Sequence, residues 1–235
     1  MFRRVLLGVV ALLGHCAVAQ AALVLVNGDF QSGLDGWSSY VTPNGTITAI
    51  PNAVQQVATV SSFNTSGAGA SNALFLNAGK AGPVFGIPPE AGGGVSQTFT
   101  TTGGQATFSA SIAFLWNSSS ASFELGTMSV LLDGQVLDFT SFPAVGTGGP
   151  FTLRDTLNFT TQLTAGQHTL QLQSTRLFAP GRNVASQFFD NVSLDVTAAN
   201  PAEGAVPEPA TWAMIILGFA GVGVMASRRR KTAAA

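Results

Sequence analysis

From Ala106 to Trp116 the chain reads ATFSASIAFLW. Apolar side chains fall on every second position, Ala106, Phe108, Ala110, Ile112, Phe114 and Trp116, with Thr107, Ser109 and Ser111 between them. A period of two marks a strand that lays one face on a core. TLQLQS repeats it with Leu170 and Leu172, and SVLLDGQVLDF sets Asp133-Gly134 between two apolar runs, the signal of a tight hairpin. Turns at Gly103-Gly104, Gly146 to Pro150 and Ala165-Gly166 punctuate the rest, and no stretch of the body carries a helical period. Two segments, QTFTTTGGQATFSASIAF and LNFTTQLTAGQHTLQLQS, both read strand, small-residue turn, strand. Many strands, frequent turns and little helix predict an all-β chain with a single β-sandwich over residues 22–197.

The two ends depart from this pattern. Arg3 and Arg4 precede the apolar run Val5 to Gly14, and Ala17-Val18-Ala19 and Ala19-Gln20-Ala21 follow it. A basic start, a short apolar stretch and small residues at a cleavage site predict an N-terminal signal peptide over residues 1–21, read by the Sec translocon and signal peptidase. Its ten apolar residues are too few to span about 30 Å of hydrocarbon. Cys16 lies inside this segment behind His15, where a lipoprotein cysteine would follow a small residue. The exported piece therefore has no thiol, no disulfide and no cysteine-ligated metal.

At the other end, residues 210–226 contain no charge, a length of about 26 Å at the helical rise of ~1.5 Å per residue. Trp212 stands near the start, and Arg228, Arg229, Arg230 and Lys231 close the run. These features predict a C-terminal single transmembrane helix whose basic end stays in the cytoplasm. Pro207-Glu208-Pro209 precedes it, held extended by its prolines, behind a linker over residues 198–206.

PEPATWAMIILGFAGVGVMASRRR resembles the PEP-CTERM sorting signal of Gram-negative bacteria that produce exopolysaccharide. The resemblance covers residues 206–231, with the sorting signal itself over 207–231. It implies an exosortase that recognises Pro207, Glu208, Pro209, Trp212, Arg228, Arg229 and Arg230 and cleaves near the tripeptide. It also implies transient anchoring in the inner membrane, then a place on the cell surface, in the outer membrane or in an extracellular biofilm matrix.

Charge narrows the partners. Only Lys80, Arg154, Arg176 and Arg182 among the cations lie between residues 22 and 209, together with all eleven Asp and Glu, for a net charge of about −7. A body this acidic excludes nucleic acid, whose binders present a basic surface. Catalysis finds no constellation. His168 is the one histidine of the body and stands alone as a base for a serine nucleophile. Glu90, Glu124, Asp133, Asp138 and Asp155 are carboxylates with no spacing that links a pair. Gly67-Ala68-Gly69-Ala70 lacks the further glycine and the setting of a dinucleotide loop.

A second, looser resemblance touches the body. LVNGDFQSGLDGW is similar to the opening of galactose-binding-like jelly rolls, among them many carbohydrate-binding modules, and FFDNVSLDV is similar to their last strand. This implies a jelly-roll-type sandwich and a structural Ca²⁺ shared by the N-terminal segment and the final-strand aspartate, here Asp29 and Asp190. Gln31 stands where that pattern often carries a carboxylate. Asp190 shares its parity with Val192, Leu194 and Val196, so on a core-facing row it must either accept backbone hydrogen bonds or hold a cation. Sugar binding needs exposed aromatics. Trp37 is expected in the core, which leaves Trp116 and Tyr40 as carbohydrate candidates. The expected function is an exported non-catalytic surface or extracellular-matrix protein, with a carbohydrate-binding module for exopolysaccharide as the alternative.

Overall fold

The computed structural model describes residues 21–48, 56–81, 86–179, 184–198 and 213–220. The chain divides into two units, Met1–Ala199 and Asn200–Ala235. In the first, the strands are β1 (Ala21–Leu23), β2 (Ser38–Val41), β3 (Gly45–Thr46), β4 (Thr59–Phe63), β5 (Ser71–Leu76), β6 (Gly79–Lys80), β7 (Ala91–Thr101), β8 (Gly104–Trp116), β9 (Gly126–Leu132), β10 (Gln135–Phe142), β11 (Phe151–Leu163), β12 (Gly166–Arg176) and β13 (Ala185–Thr197). The first sheet runs β11-β8-β13-β5-β4, with β1 added along β13, and the second runs β10-β9-β12-β7-β2. β3 and β6 form a small separate ribbon.

Alternation explains how the sheets stack. The even positions of β8 from Ala106 to Phe114 meet Met128, Val130 and Leu132 of β9 and Leu170 and Leu172 of β12 in one buried cluster. Each fully buried Leu or Phe contributes about 1.5–3 kcal/mol relative to leaving it in water. The unit is a β-sandwich, as the spacing predicts, of the jelly-roll type that the resemblance implies. The two similar segments are not hairpins, however. β7 and β8 lie in different sheets, as do β11 and β12, so each short turn carries the chain across the core. β8 then pairs with β11, and β7 with β12, locking the two corners together. Asp133-Gly134 does make the tight hairpin between β9 and β10, with φ of 51° and 80°.

Two bulges interrupt the alternation. In β13 the register shifts between Asp190 and Ser193, and Asn191 adopts a φ of 52°. The even residues Val192, Leu194 and Val196 face the core beyond this bulge, while the odd residues Phe189 and Ala185 face it before. Asp190 therefore lies on the outer face, opposite Ser111. The core-facing row inferred for it from parity is corrected: one extra residue inverts every side chain that precedes it. The second bulge falls between Val136 and Asp138 of β10 and keeps Val136 and Phe139, three residues apart, on the same outer face.

Residues 213–220 of the second unit form a helix. Among the described residues no helix is long and apolar enough to cross a membrane. The predicted span over 210–226 extends past this segment. The signal peptide, apart from Ala21 in β1, and the sorting residues Pro207, Glu208, Pro209, Trp212 and Arg228 to Arg230 lie outside the described residues.

Candidate functional site

The N-terminal loop is organised by Asn27, at a φ of 53°. Its side-chain amide donates to the Gly33 and Asp35 carbonyls, and its Oδ1 accepts the Ser32 N–H. Trp37 donates its indole N–H to the Asn27 carbonyl at 3.1 Å and packs beside fully buried Phe30, 5.6 Å between rings. Trp37 is thus a core residue, as expected. Asp29 is exposed and accepts the Gln31 N–H at 3.3 Å. With Asn27, Asn191, Ser193 and the apolar Leu23 and Leu25 it lines an open surface pocket.

Asp190 does not line that pocket. Its carboxylate is 1 % exposed, with one oxygen accepting the Ser71 hydroxyl and the other the Asn191 N–H at 2.7 Å. Both oxygens hold protein donors, so the geometry supports the hydrogen-bonding alternative for this aspartate. Among the described residues no group of three or more His, Cys, Asp or Glu side chains is placed to hold a metal ion.

Trp116 and Tyr40 sit in different sheets and are not brought together. Trp116 ends β8 beside the core, donates its indole N–H to the Ser120 carbonyl at 2.7 Å and lies under the Arg176 guanidinium, 5.9 Å from the ring centre. Arg176 is 1 % exposed and also faces Phe114 at 5.8 Å. Burial lowers its pKa, opposed by Glu124 and Glu90. Burial raises the pKa of Glu124, with Arg176 opposing and Glu90 adding to the rise.

The remaining carboxylates are tied to structure. Asp138 accepts the Asn158 N–H, bridging the exposed edges of β10 and β11, and Asp155 accepts the Thr140 hydroxyl. Asp133 accepts a 2.7 Å hydrogen bond from His168 Nδ1, whose other ring nitrogen faces the Thr164 carbonyl at 3.1 Å. Two acceptors around one imidazole favour the doubly protonated form. The pKa of His168 is accordingly raised, by Asp133 first and Thr164 second. Among the described residues no serine is bonded to this pair, which staples two turns together.

Tyr40 belongs to an arrangement that alternation alone does not show. Successive pairings place Tyr40 beside Gly94, Gly94 beside Gln173, Gln173 beside Ser129, and Ser129 beside Phe139. These five residues form one row across all five strands of the second sheet. Ser129 alternates with core residues Met128 and Val130, so the row lies on the face turned away from the core. Tyr40 donates its hydroxyl to Gln173 Oε1 at 3.2 Å, two strands away. To reach it the ring must cross over Gly94, where a Cβ would lie 1.8 Å from the Leu172 carbonyl oxygen. Burial pushes the phenol well above its usual pKa range, so the hydroxyl remains a donor. At the far end Phe139 is 59 % exposed. The β10 bulge hid this residue from a parity reading; the signal that could have found it is its place just past a hairpin, between the polar Asp138 and Thr140.

No curated protein matches the chain. Among solved structures, the chain is similar to a cyclase from Fischerella sp. TAU at 16% identity, covering 77% of this chain and 100% of that one, with a TM-score of 0.45. It is also similar to the CBM22-1 xylan-binding domain of Paenibacillus barcinonensis Xyn10C at 12% identity, 78% and 100% coverage and a TM-score of 0.42. A third is the CBM22-1–GH10 modules of the Clostridium thermocellum endo-1,4-β-D-xylanase 10B, at 13% identity, 81% and 30% coverage and a TM-score of 0.39. The C-terminal sequence gives a more specific match: residues 205–231 fit the PEP-CTERM protein-sorting motif, and the chain carries that motif.

Proposed function

We propose that this is a non-catalytic protein of the cell surface or extracellular matrix, delivered by exosortase processing of its C-terminal tail. The observation that carries the reading is the sorting motif at residues 205–231, which indicates an exported protein sorted to the cell surface. The span over 210–226 and the signal peptide over 1–21 complete the route through Sec and signal peptidase. Met214, Ile215, Ile216, Leu217 and Phe219 are 46–76% exposed, a set of side chains suited to lipid rather than water. Fractionation of cells tests this. Replacing Pro207, Glu208 and Pro209 by alanine should hold the protein in the inner membrane, whereas unchanged surface delivery would refute a sorting role for the tripeptide.

A second reading is favoured by one specific observation, the Tyr40 to Phe139 row. Aromatic rings set beside amide and hydroxyl groups on an outer sheet face suit the stacking and hydrogen bonding of sugar rings. On this reading the protein holds polysaccharide through the outer face of its second sheet, and Trp116 takes no part. Phe139→Ala should then weaken retention on a polysaccharide gel by at least about tenfold, the scale of one stacking contact. Equal retention by Phe139→Ala and the native protein would remove the row from the site.

A further inference from the structure

We infer that the outer face of the second sheet takes an extended, neutral glycan laid across the strands and turns away polyuronates, an inference that rests on the carbohydrate-binding reading. Length follows from the rings. Tyr40 and Phe139 anchor on strands four steps apart, about 19 Å between backbones at ~4.8 Å per step. The Tyr40 ring leans inward toward Gln173 but leaves more than one sugar's width to Phe139, so a single sugar meets one ring and only a chain meets both. Between them Gly94 and Ser129 keep the row low, and both are buried. In the adjoining row Gln171 has no side-chain hydrogen bond within the protein among the described residues. Gln173 spends its Oε1 on Tyr40 and keeps its amide donors free. Glutamine and serine offer donors and acceptors together, which matches sugar hydroxyls.

Charge follows from where the cations are. Lys80 is 8% exposed and donates to the Ile87 carbonyl. Arg176 is inside the core, and Arg154 lies on the other sheet, donating to the Asn64 carbonyl at 3.0 Å. Among the described residues, then, no Lys or Arg side chain stands on this face. One border carries a carboxylate instead: Glu90 accepts the hydroxyls of Thr175 and Thr127, the outer-face pair one row beyond Gln173 and Ser129. At the opposite border Asp133 is matched by His168 behind it. A uronate carboxylate laid here would lose water, meet no cation among the described residues and approach Glu90.

Affinity electrophoresis of the full chain in detergent tests this, with gels holding linear xylan, mixed-linkage glucan, galactomannan, polygalacturonate or alginate. Retardation is expected by at least one neutral polymer and at least about tenfold weaker by either polyuronate, with the free monosaccharide unable to release the protein. Glu90→Gln should narrow that ratio, and Phe139→Ala should abolish retardation with an unchanged melting temperature. Equal retardation by polyuronates, or release by monosaccharide, overturns the inference while leaving carbohydrate binding standing. No retardation in any gel overturns both.

Discussion

Asp190 shows how a single side chain can look like a ligand and act as a fastener. Its buried carboxylate joins the start of β5, through Ser71, to the bulge of β13, through Asn191. Asp190→Ala leaves both donors unpaired and is expected to cost about 2–4 kcal/mol in urea unfolding, the range for a lost charged hydrogen-bond acceptor in a buried setting. The native melting temperature should not respond to added Ca²⁺. A rise abolished by Asp29→Ala would restore the calcium site implied by the resemblance. His168 and Asp133 make a second fastener, with a sign that can be checked. The raised pKa of His168 means its contribution is complete below the ordinary histidine value of about 6.5 and fades as pH climbs through the raised value. Burial works against ionisation of Asp133, but its bonds with His168 and Thr169 hold the carboxyl below its usual range. Its contribution is therefore present above the ordinary value of about 3.9 and lost as pH falls through the lowered one. Unfolding free energies from pH 6 to 9 should decline in the native protein and flatten in His168→Gln. Parallel curves for the two would show that the pair carries no such linkage.

At the scale of the strands, β8 and β12 were legible because nothing interrupts their alternation, and the Asp133-Gly134 turn because only a φ above zero at both positions closes it. Bulges were not legible. An inserted residue leaves no mark in a period-two pattern, because the sequence on either side still alternates correctly. That is why parity set Asp190 toward the core and left Phe139 unnoticed, although both sit beside bulges. Nor does the sequence say which strands a Thr-rich turn will join: β7 and β8 look like a hairpin and instead cross between sheets. Gly94 is the local point on which the candidate row depends. A Cβ there would lie 1.8 Å from the Leu172 oxygen and 3.1 Å from the Gln173 Cα, pressing on the strand that carries the Tyr40 partner. Gly94→Ala is expected to lower stability by about 1–3 kcal/mol, the cost of forcing a shift in a packed site. A melting temperature equal to the native one would show that the strands can part without cost.

Over the whole of the first unit, the last strand is the middle of its sheet. β13 lies between β8 and β5, and its final residue, Thr197, pairs with Ala21 at the start of β1. The first and last strands of the unit therefore meet side by side, and β5 reaches β8 only through β13. The sorting motif was readable because its chemistry is linear, a tripeptide, an apolar run and cations in order, and needs no fold to be recognised. The Tyr40 to Phe139 row needed the fold, since its five members come from five strands. Sorting is the claim on which the proposed function stands, and intact-mass spectrometry of the surface-bound or released protein tests it most directly. From cells with a working exosortase the mass should correspond to a chain that begins near residue 20 and ends near Pro207-Glu208-Pro209. Material from the same compartment that still carries residues 210–235 would contradict it.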